Sequence, residues 1–411
     1  MHAPAQGAQD PQDPGPGPLA GVRVLDLSGY IAAPYGCTLL ADQGAEVIKI
    51  ESPEGDNLRK YPSTLAAEGR AYLGVNRGKQ GLVLDLKRPA GLAVLHRLVA
   101  SADVLVHNFR PSVPARLGID YPGLRSLNPR LIYCAVSGFG ETGPMRNRAG
   151  YDQVLQAMTG ISAMQGEPGS PQVVYGSVVD YYAAALLAAS VSSALFDRTR
   201  TGRGQYVGVS LLRSALAMQS ARLVWADGEA REVARDMRSG GVTGIHPTRA
   251  GHLYLSANTP HFWTALCGHL GLPALAADER YDSVRKRAQR AGELVPQIRA
   301  ALLARTAAEW EALFGETVPC AAVRSVEDMF DDPQVQAGAM IRHYEHPLAG
   351  GYRGLASAFS FGELGAAGDA APHPAAGRPA PVFGQHGDEI LERAGYCAEQ
   401  IAELRRQGGL G

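Results

Sequence analysis

Asp180 has the setting most suited to chemistry. It follows Tyr175-Gly-Ser-Val-Val179 and opens an apolar run, Tyr181-Tyr-Ala-Ala-Ala-Leu-Leu187. A carboxylate at the start of a long apolar helix is ordinarily an N-cap. The same position can also make a reagent, because a helix N-terminus stabilises the anion while apolar neighbours strip its water. A water-poor carboxylate is a competent nucleophile toward a thioester carbonyl and becomes acylated in the process. The second group of candidates is cationic. Arg59, Arg77, Lys79, Arg110 and Arg116 fall in or near loops close to one expected sheet edge. Arg binds phosphate through forked contacts and Lys as a point charge. Taken singly, each is equally an ordinary solvated surface charge.

These residues need a frame, and the apolar pattern supplies one. Strand-length runs occur at Val22 to Ser28, Glu46 to Glu51, Gly81 to Leu86, Asp103 to Asn108 and Leu131 to Val136. Helical spacing lies between them, at Ala33 to Ala41 and Ala90 to Ala102. Short apolar strands alternating with helices predict an α/β fold, a parallel sheet covered on both faces. In such sheets ligands bind beyond the carboxyl ends of the strands. Here those ends are Ser28-Gly-Tyr30, Glu51-Ser-Pro53, Asn108-Phe-Arg110 and Ser137-Gly-Phe-Gly140. The longest apolar stretch, Val178 to Phe196, contains Asp180 and three serines, and reads as a buried helix rather than a membrane span. Thr201-Gly-Arg-Gly-Gln205 reads as a polar turn ending it.

The pattern changes beyond about residue 225. Thr248 to Leu255 reads as a hairpin turn entering a strand, and helices follow at Phe262 to Leu270, Glu293 to Ala304 and Ala307 to Phe314. The expected organisation is a disordered tail over 1–18, the first part of a large domain over 19–224, a small domain over 225–330, and a return to the large domain over 331–411. Gly365 to Pro381 reads as a surface loop, with last helices at Asp388 to Ala394 and Ala398 to Arg406.

Several function classes are disfavoured. A net charge of −1 over 411 residues creates no field that recruits nucleic acid or an anionic membrane. Five scattered cysteines with no CxxC pair argue against a disulfide framework or zinc site and fit a reducing cytoplasm. No metal site is expected; His343 and His346 read as surface histidines. The residues after the first strand, Ser28-Gly-Tyr-Ile-Ala-Ala-Pro34, are not a dinucleotide fingerprint, and no phosphate-loop or GxSxG motif occurs.

The motifs in sequence order are Val24-Leu-Asp-Leu27, Leu40-Ala-Asp-Gln-Gly-Ala-Glu-Val-Ile-Lys-Ile-Glu51, Asn76-Arg-Gly-Lys79, Leu84-Asp-Leu-Lys87, Asn108-Phe-Arg-Pro111 and Arg116-Leu-Gly118. They continue with Ser137-Gly-Phe-Gly-Glu-Thr-Gly-Pro144, Gly150-Tyr-Asp-Gln153, Thr201-Gly-Arg-Gly-Gln205, Asp332-Pro-Gln-Val335 and Gly384-Gln-His-Gly-Asp-Glu-Ile390. Together they resemble the class III CoA-transferases, the CaiB/BaiF family, from about Leu19 to the C-terminus. The resemblance implies a Rossmann-like large domain built from both termini, a small inserted α+β domain and an interlocked homodimer. It implies acyl-CoA and a small carboxylic acid as substrates, with no permanently bound cofactor, and Asp180 as the catalytic aspartate. It assigns CoA contacts to Tyr30, Ala32, Lys79, Asn108, Phe109 and Arg116. The expected substrate pocket takes in Ile31, Tyr151, Gly240 and Gly241. Formyl-CoA:oxalate enzymes of the family carry a glutamine where Ile31 stands, an arginine where Ser52 stands, and a run of four glycines to which Ser239-Gly-Gly241 is the nearest match. These departures point away from that exchange and toward a larger or less polar acyl group.

Two other readings remain open. α-Methylacyl-CoA racemases are similar in sequence, but they carry His-Asp where this chain has Tyr151-Asp152, and racemisation needs an acid/base group on each face of the α-carbon. A non-catalytic acyl-CoA binder would need Asp180 to be only a helix cap.

Overall fold

The computed structural model describes residues 17–65, 67–165, 169–230, 241–361 and 377–411. Gly240, almost all of the 1–18 tail and most of the 365–381 loop lie outside the described residues.

Six short strands form one all-parallel sheet. They are β1 (Arg23–Asp26), β2 (Glu46–Glu51), β3 (Gln80–Val83), β4 (Val104–His107), β5 (Ile132–Ser137) and β6 (Tyr206–Ser210). The sequence pattern anticipates the first five. β6 sits between the Thr201–Gln205 turn and the helix Leu211–Ala217, with no further loop on either side to mark it as a separate element. The spatial order is β3-β2-β1-β4-β5-β6. The order reverses between β1 and β4, so the loops that leave these adjacent strands diverge and open a crevice.

Eight helices belong to the same part of the chain: α1 (Ala32–Asp42), α2 (Arg70–Asn76), α3 (Pro89–Val99), α4 (Val113–Leu117), α5 (Tyr121–Leu127), α6 (Asp152–Met158), α7 (Val178–Thr201) and α8 (Leu211–Ala217). One face of the sheet buries α1, α7 and α8 through residues such as Leu40, Leu187 and Val191. The other buries α3, α5 and the two C-terminal helices, Gly387–Arg393 and Ala398–Arg406, through Leu95, Leu124 and Leu391. Each such aliphatic side chain contributes about 1.5–3 kcal/mol on burial. Gly36 lets α1 approach α7: a Cβ there would meet Leu187 Cδ2 at 2.9 Å. Among the described helices, α7 is the one long and apolar enough to cross a membrane, yet here it packs along α1.

The last residues return to the β3 edge. Gly81 N–H donates to His386 Nδ1 (3.0 Å), and Leu410 bridges to Leu84. The chain divides into two compact units, Met1–Val224 with Pro333–Gly411, and Trp225–Asp332. The second unit has its own core around Trp263, Leu294 and Trp310 and a three-stranded antiparallel sheet of Gly244–Pro247, His252–Leu255 and Cys320–Ala322. An antiparallel hairpin, Ile341–His346 with Gly350–Leu355, falls in the first unit and was not anticipated. It also corrects the reading of one histidine, His346, and agrees with that of His343. His346 is buried, its Nδ1 accepting from the Leu348 and Ala349 N–H groups, while exposed His343 pairs with Glu345 at 2.7 Å.

Candidate active site

The crevice begins at the turn after β1. Tyr30 holds the left-handed conformation there, φ 64°, which is uncommon for a side chain of its size. Two side chains fix it. The Asn108 amide grips Gly29 twice, Oδ1 accepting from the Gly29 N–H (3.0 Å) and Nδ2 donating to its carbonyl (2.7 Å). Asp56 Oδ1 accepts from the Tyr30 N–H (3.2 Å). Asp56 is itself paired with the buried Lys49 at 2.9 Å, and Lys49 also donates to the Ser28 carbonyl. Strain held at one turn by surrounding bonds is a frequent mark of a ligand site. The Tyr30 ring meets Tyr151 edge-on, centroids 5.7 Å apart.

Asp180 lies in the first turn of α7 but does not cap it. The N-cap residue is Ser177, φ 56°, with no side-chain bond to the helix. Asp152 caps the helix instead: its Oδ2 accepts from the N–H groups of Val179 (2.6 Å) and Asp180 (3.0 Å). Gln156 donates to the other Asp152 oxygen and is braced by both backbone groups of Val174 (2.9 and 2.8 Å). The Asp180 carboxylate is thus relieved of structural duty, and no described residue donates a hydrogen bond to it. Burial raises its pKa to about 7, and the nearby Asp152 charge adds to the effect. A carboxylate this poorly solvated is a stronger base and nucleophile than a free aspartate.

Asp180 lines a cavity of about 220 Å³ together with Tyr30, Ile31, Ala32, Gly138 and Tyr151. A second cavity of about 590 Å³ runs along the ends of β1 and β2 past Ser28, Ser52, Asn57 and Lys87. The two share Tyr30, Asn108, Phe109 and Arg110. They adjoin along these residues near the reversal between β1 and β4, and Asp180 lines the smaller of the two.

Comparison with known proteins identifies the family. The model of CoA-transferase family III matches residues 19–386. The chain belongs to CoA-transferase family III. A succinate–glutarate CoA-transferase of Agrobacterium fabrum is 36% identical to it over 338 residues, covering 78% of this chain and 83% of the relative. A mouse succinyl-CoA:glutarate CoA-transferase is 32% identical, covering 91% and 86%. The crystal structure of a CaiB/BaiF family protein from Brucella suis superposes with a TM-score of 0.78 at 28% identity, covering 92% of this chain and 99% of that one.

In this family III CoA-transferase the expected site residues divide. Asp180, Tyr30, Ile31, Ala32, Asn108, Phe109 and Tyr151 all line the Asp180 cavity. Arg116 is exposed on α4, whose Val113 and Leu117 face the larger cavity. Gly241 is an exposed residue of the second unit, φ 89°. Lys79 is a correction: it is fully buried, its Nζ donating to Asp26 (2.8 Å), the Pro34 carbonyl (2.7 Å) and Asn76 (2.8 Å), with no donor left for a phosphate. Arg59 and Arg77 are likewise committed, Arg59 to Glu51 (2.7 Å) and Glu68, Arg77 to both oxygens of Asp42. A basic residue after a strand reads the same in sequence whether it faces ligand or folds under the sheet. Three further residues of the site had no role assigned from sequence: Asp152, which caps α7, and Arg146 and Arg148, which line the Asp180 cavity. Asp152 could have been found as the acidic residue of Gly150-Tyr-Asp-Gln153, since polar groups in a short motif often serve a nearby helix end.

Proposed function

We propose that this chain transfers CoA from an acyl-CoA to a carboxylic acid through covalent acylation of Asp180. The observation that carries the reading is the Asp180 carboxylate, which lines a cavity, is freed from capping by Asp152 and has no hydrogen-bond donor among the described residues. The larger cavity holds the nucleotide end of CoA near Arg110 and Lys87, and the pantetheine arm passes Tyr30, Asn108 and Phe109 to bring the thioester to Asp180.

The chemistry then balances without water or a redox partner. An Asp180 oxygen attacks the thioester carbonyl, the C–S bond breaks, and CoA leaves as thiolate, giving a mixed anhydride. The thiolate attacks the aspartyl carbonyl and expels the donor carboxylate, leaving an aspartyl-CoA thioester. The acceptor carboxylate attacks that thioester, CoA thiolate leaves again, and a second anhydride forms. Thiolate attack on the acceptor's acyl carbon releases the new acyl-CoA and regenerates Asp180. The acids named for the two relatives, succinate and glutarate, are short dicarboxylates, and the exchange proposed here is between acids of that kind.

The reading extends to assembly and location. Residues 225–332 form the inserted small domain, and the interlocked homodimer covers apolar surface that one chain leaves open, including Tyr175 (87% exposed) and Phe196 on α7 (66%). Five free cysteines fit the reducing cytoplasm.

The test separates a transferase from a mere binder. In Asp180→Ala, CoA binding by calorimetry stays near wild type while CoA exchange between acids disappears. Retained exchange with the variant contradicts the reading.

A further inference from the structure

Arg146 and Arg148 are not absorbed by the scheme above. Both line the Asp180 cavity, both are exposed, and neither pairs with any described residue. Arg110 lines both cavities, so it stands where they adjoin, whereas Arg146 and Arg148 face only the acyl end. They ride on the loop over 138–150, whose neck is closed by two glycines. A Cβ on Gly138 would meet Gly150 Cα at 2.8 Å, and one on Gly150 would meet Gly138 Cα at 2.7 Å. Only backbone fits at that neck, so the loop starts and ends at one point of the cavity wall. Inside it, turns from Arg146 N–H to the Gly143 carbonyl (3.3 Å) and from Arg148 N–H to the Met145 carbonyl (2.8 Å) fix the two arginines. Compact loops pinned at the neck in this way present side chains from a defined position.

The charges of the cavity make this placement specific. Asp180 puts a carboxylate in the cavity wall, and the buried Asp152 charge lies close enough to act on it, so an entering acid meets negative charge there. The two arginines offset that repulsion and supply forked donors that match a carboxylate. Ile31 lines the same cavity and offers no such donor, so the polar recognition that position 31 lacks is available from Arg146 and Arg148.

We propose that Arg146 and Arg148 are the specificity-determining residues of this enzyme: they bind the distal carboxylate of a dicarboxylic acyl group while its other end reacts at Asp180. The proposal rests on the transferase reading above. A monocarboxylate of equal length leaves the guanidinium groups unpaired and gains nothing from them.

The test measures exchange of labelled acid into its own CoA thioester, with glutarate/glutaryl-CoA and pentanoate/pentanoyl-CoA as the two pairs. The wild-type full chain is compared with the Arg146→Met/Arg148→Met double variant and with Arg148→Lys. The double variant loses about 30-fold in kcat/KM for glutarate exchange, mostly through KM, and changes by less than about threefold for pentanoate. Arg148→Lys, which keeps the charge but not the fork, falls between. Equal use of both acids by the wild type, or an equal loss for both acids in the variant, overturns the proposal and leaves the transferase reading intact. Wild-type protein that exchanges neither acid overturns both.

Discussion

Two groups of charges in this molecule behave oppositely. Beneath the β1–β3 edge, Asp26 meets Lys79, Lys49 meets Asp56, Asp42 meets Arg77 and Glu51 meets Arg59, all with little or no solvent exposure. Burial alone would raise the Asp26 pKa, but Lys79 and Lys49 beside it hold it down at about 2. Every charge there has a partner, and together they fix the turn that carries Tyr30. At the start of α7 the situation reverses. Among the described residues the Asp180 carboxylate has no donor, and the Arg146 and Arg148 side chains have no acceptor. Paired buried charges hold the frame, and unpaired charges facing one cavity mark where a ligand completes the pairing.

That contrast can be broken at either side. The largest effect belongs to Asp180→Ala, which lowers CoA exchange by about 10⁴-fold or more while the circular dichroism spectrum is unchanged, because the variant removes the nucleophile and no structural bond. Next is Lys79→Met, which strands Asp26 in the core and destabilises the fold by about 3–5 kcal/mol in urea unfolding. The matched change at an unpaired site, Arg148→Met, stays within about 0.5 kcal/mol in the same measurement. Equal costs for the two would erase the distinction.

Smaller effects sharpen it. The folded pKa of Asp180 is about 7 against an ordinary 3.8, so the folded state favours the protonated form. The stability this group contributes is complete below pH 3.8 and is lost as pH rises through 7. Asp180→Asn removes that loss and stabilises the protein by about 1–2 kcal/mol at pH 8, with little gain at pH 4, the full shift being discounted for partial exposure. A stabilising substitution at the nucleophile is the expected sign of a site strained for function. The exchange rate itself rises with pH to a midpoint near 7, since the anion attacks. Asp152→Asn removes a neighbouring negative charge and moves that midpoint down by up to about one unit. An unmoved midpoint would show that burial alone sets the value.

The sequence carries the sheet because its first five strands fall in short segments rich in β-branched and aliphatic residues between helical stretches, β5 most densely (IYCAVS). β6 is as apolar as these, but it lies between the polar Thr201–Gln205 turn and α8 with no spacing to set it off, and the Ile341–Leu355 hairpin mixes charged residues with glycines at 350, 351 and 354. The crevice around Tyr30, Asn108 and Asp180 was legible because β-strand ends are the natural exits of a parallel sheet. Lys79 was misplaced because sequence shows the charge and not the direction of its side chain: Asp26, 53 residues earlier, turns it inward. Asp152 hides for the same reason, since its partner N–H groups lie 27 and 28 residues away.

The central claim is that the Asp180 carboxyl carries the acyl group during turnover. Incubating the intact protein with glutaryl-CoA and hydroxylamine, then mapping peptides by mass spectrometry, tests it directly. The account predicts a hydroxamate on Asp180 that appears only with acyl-CoA present and coincides with loss of activity. Full exchange activity with Asp180 unmodified, or a hydroxamate on any other carboxylate, would contradict it.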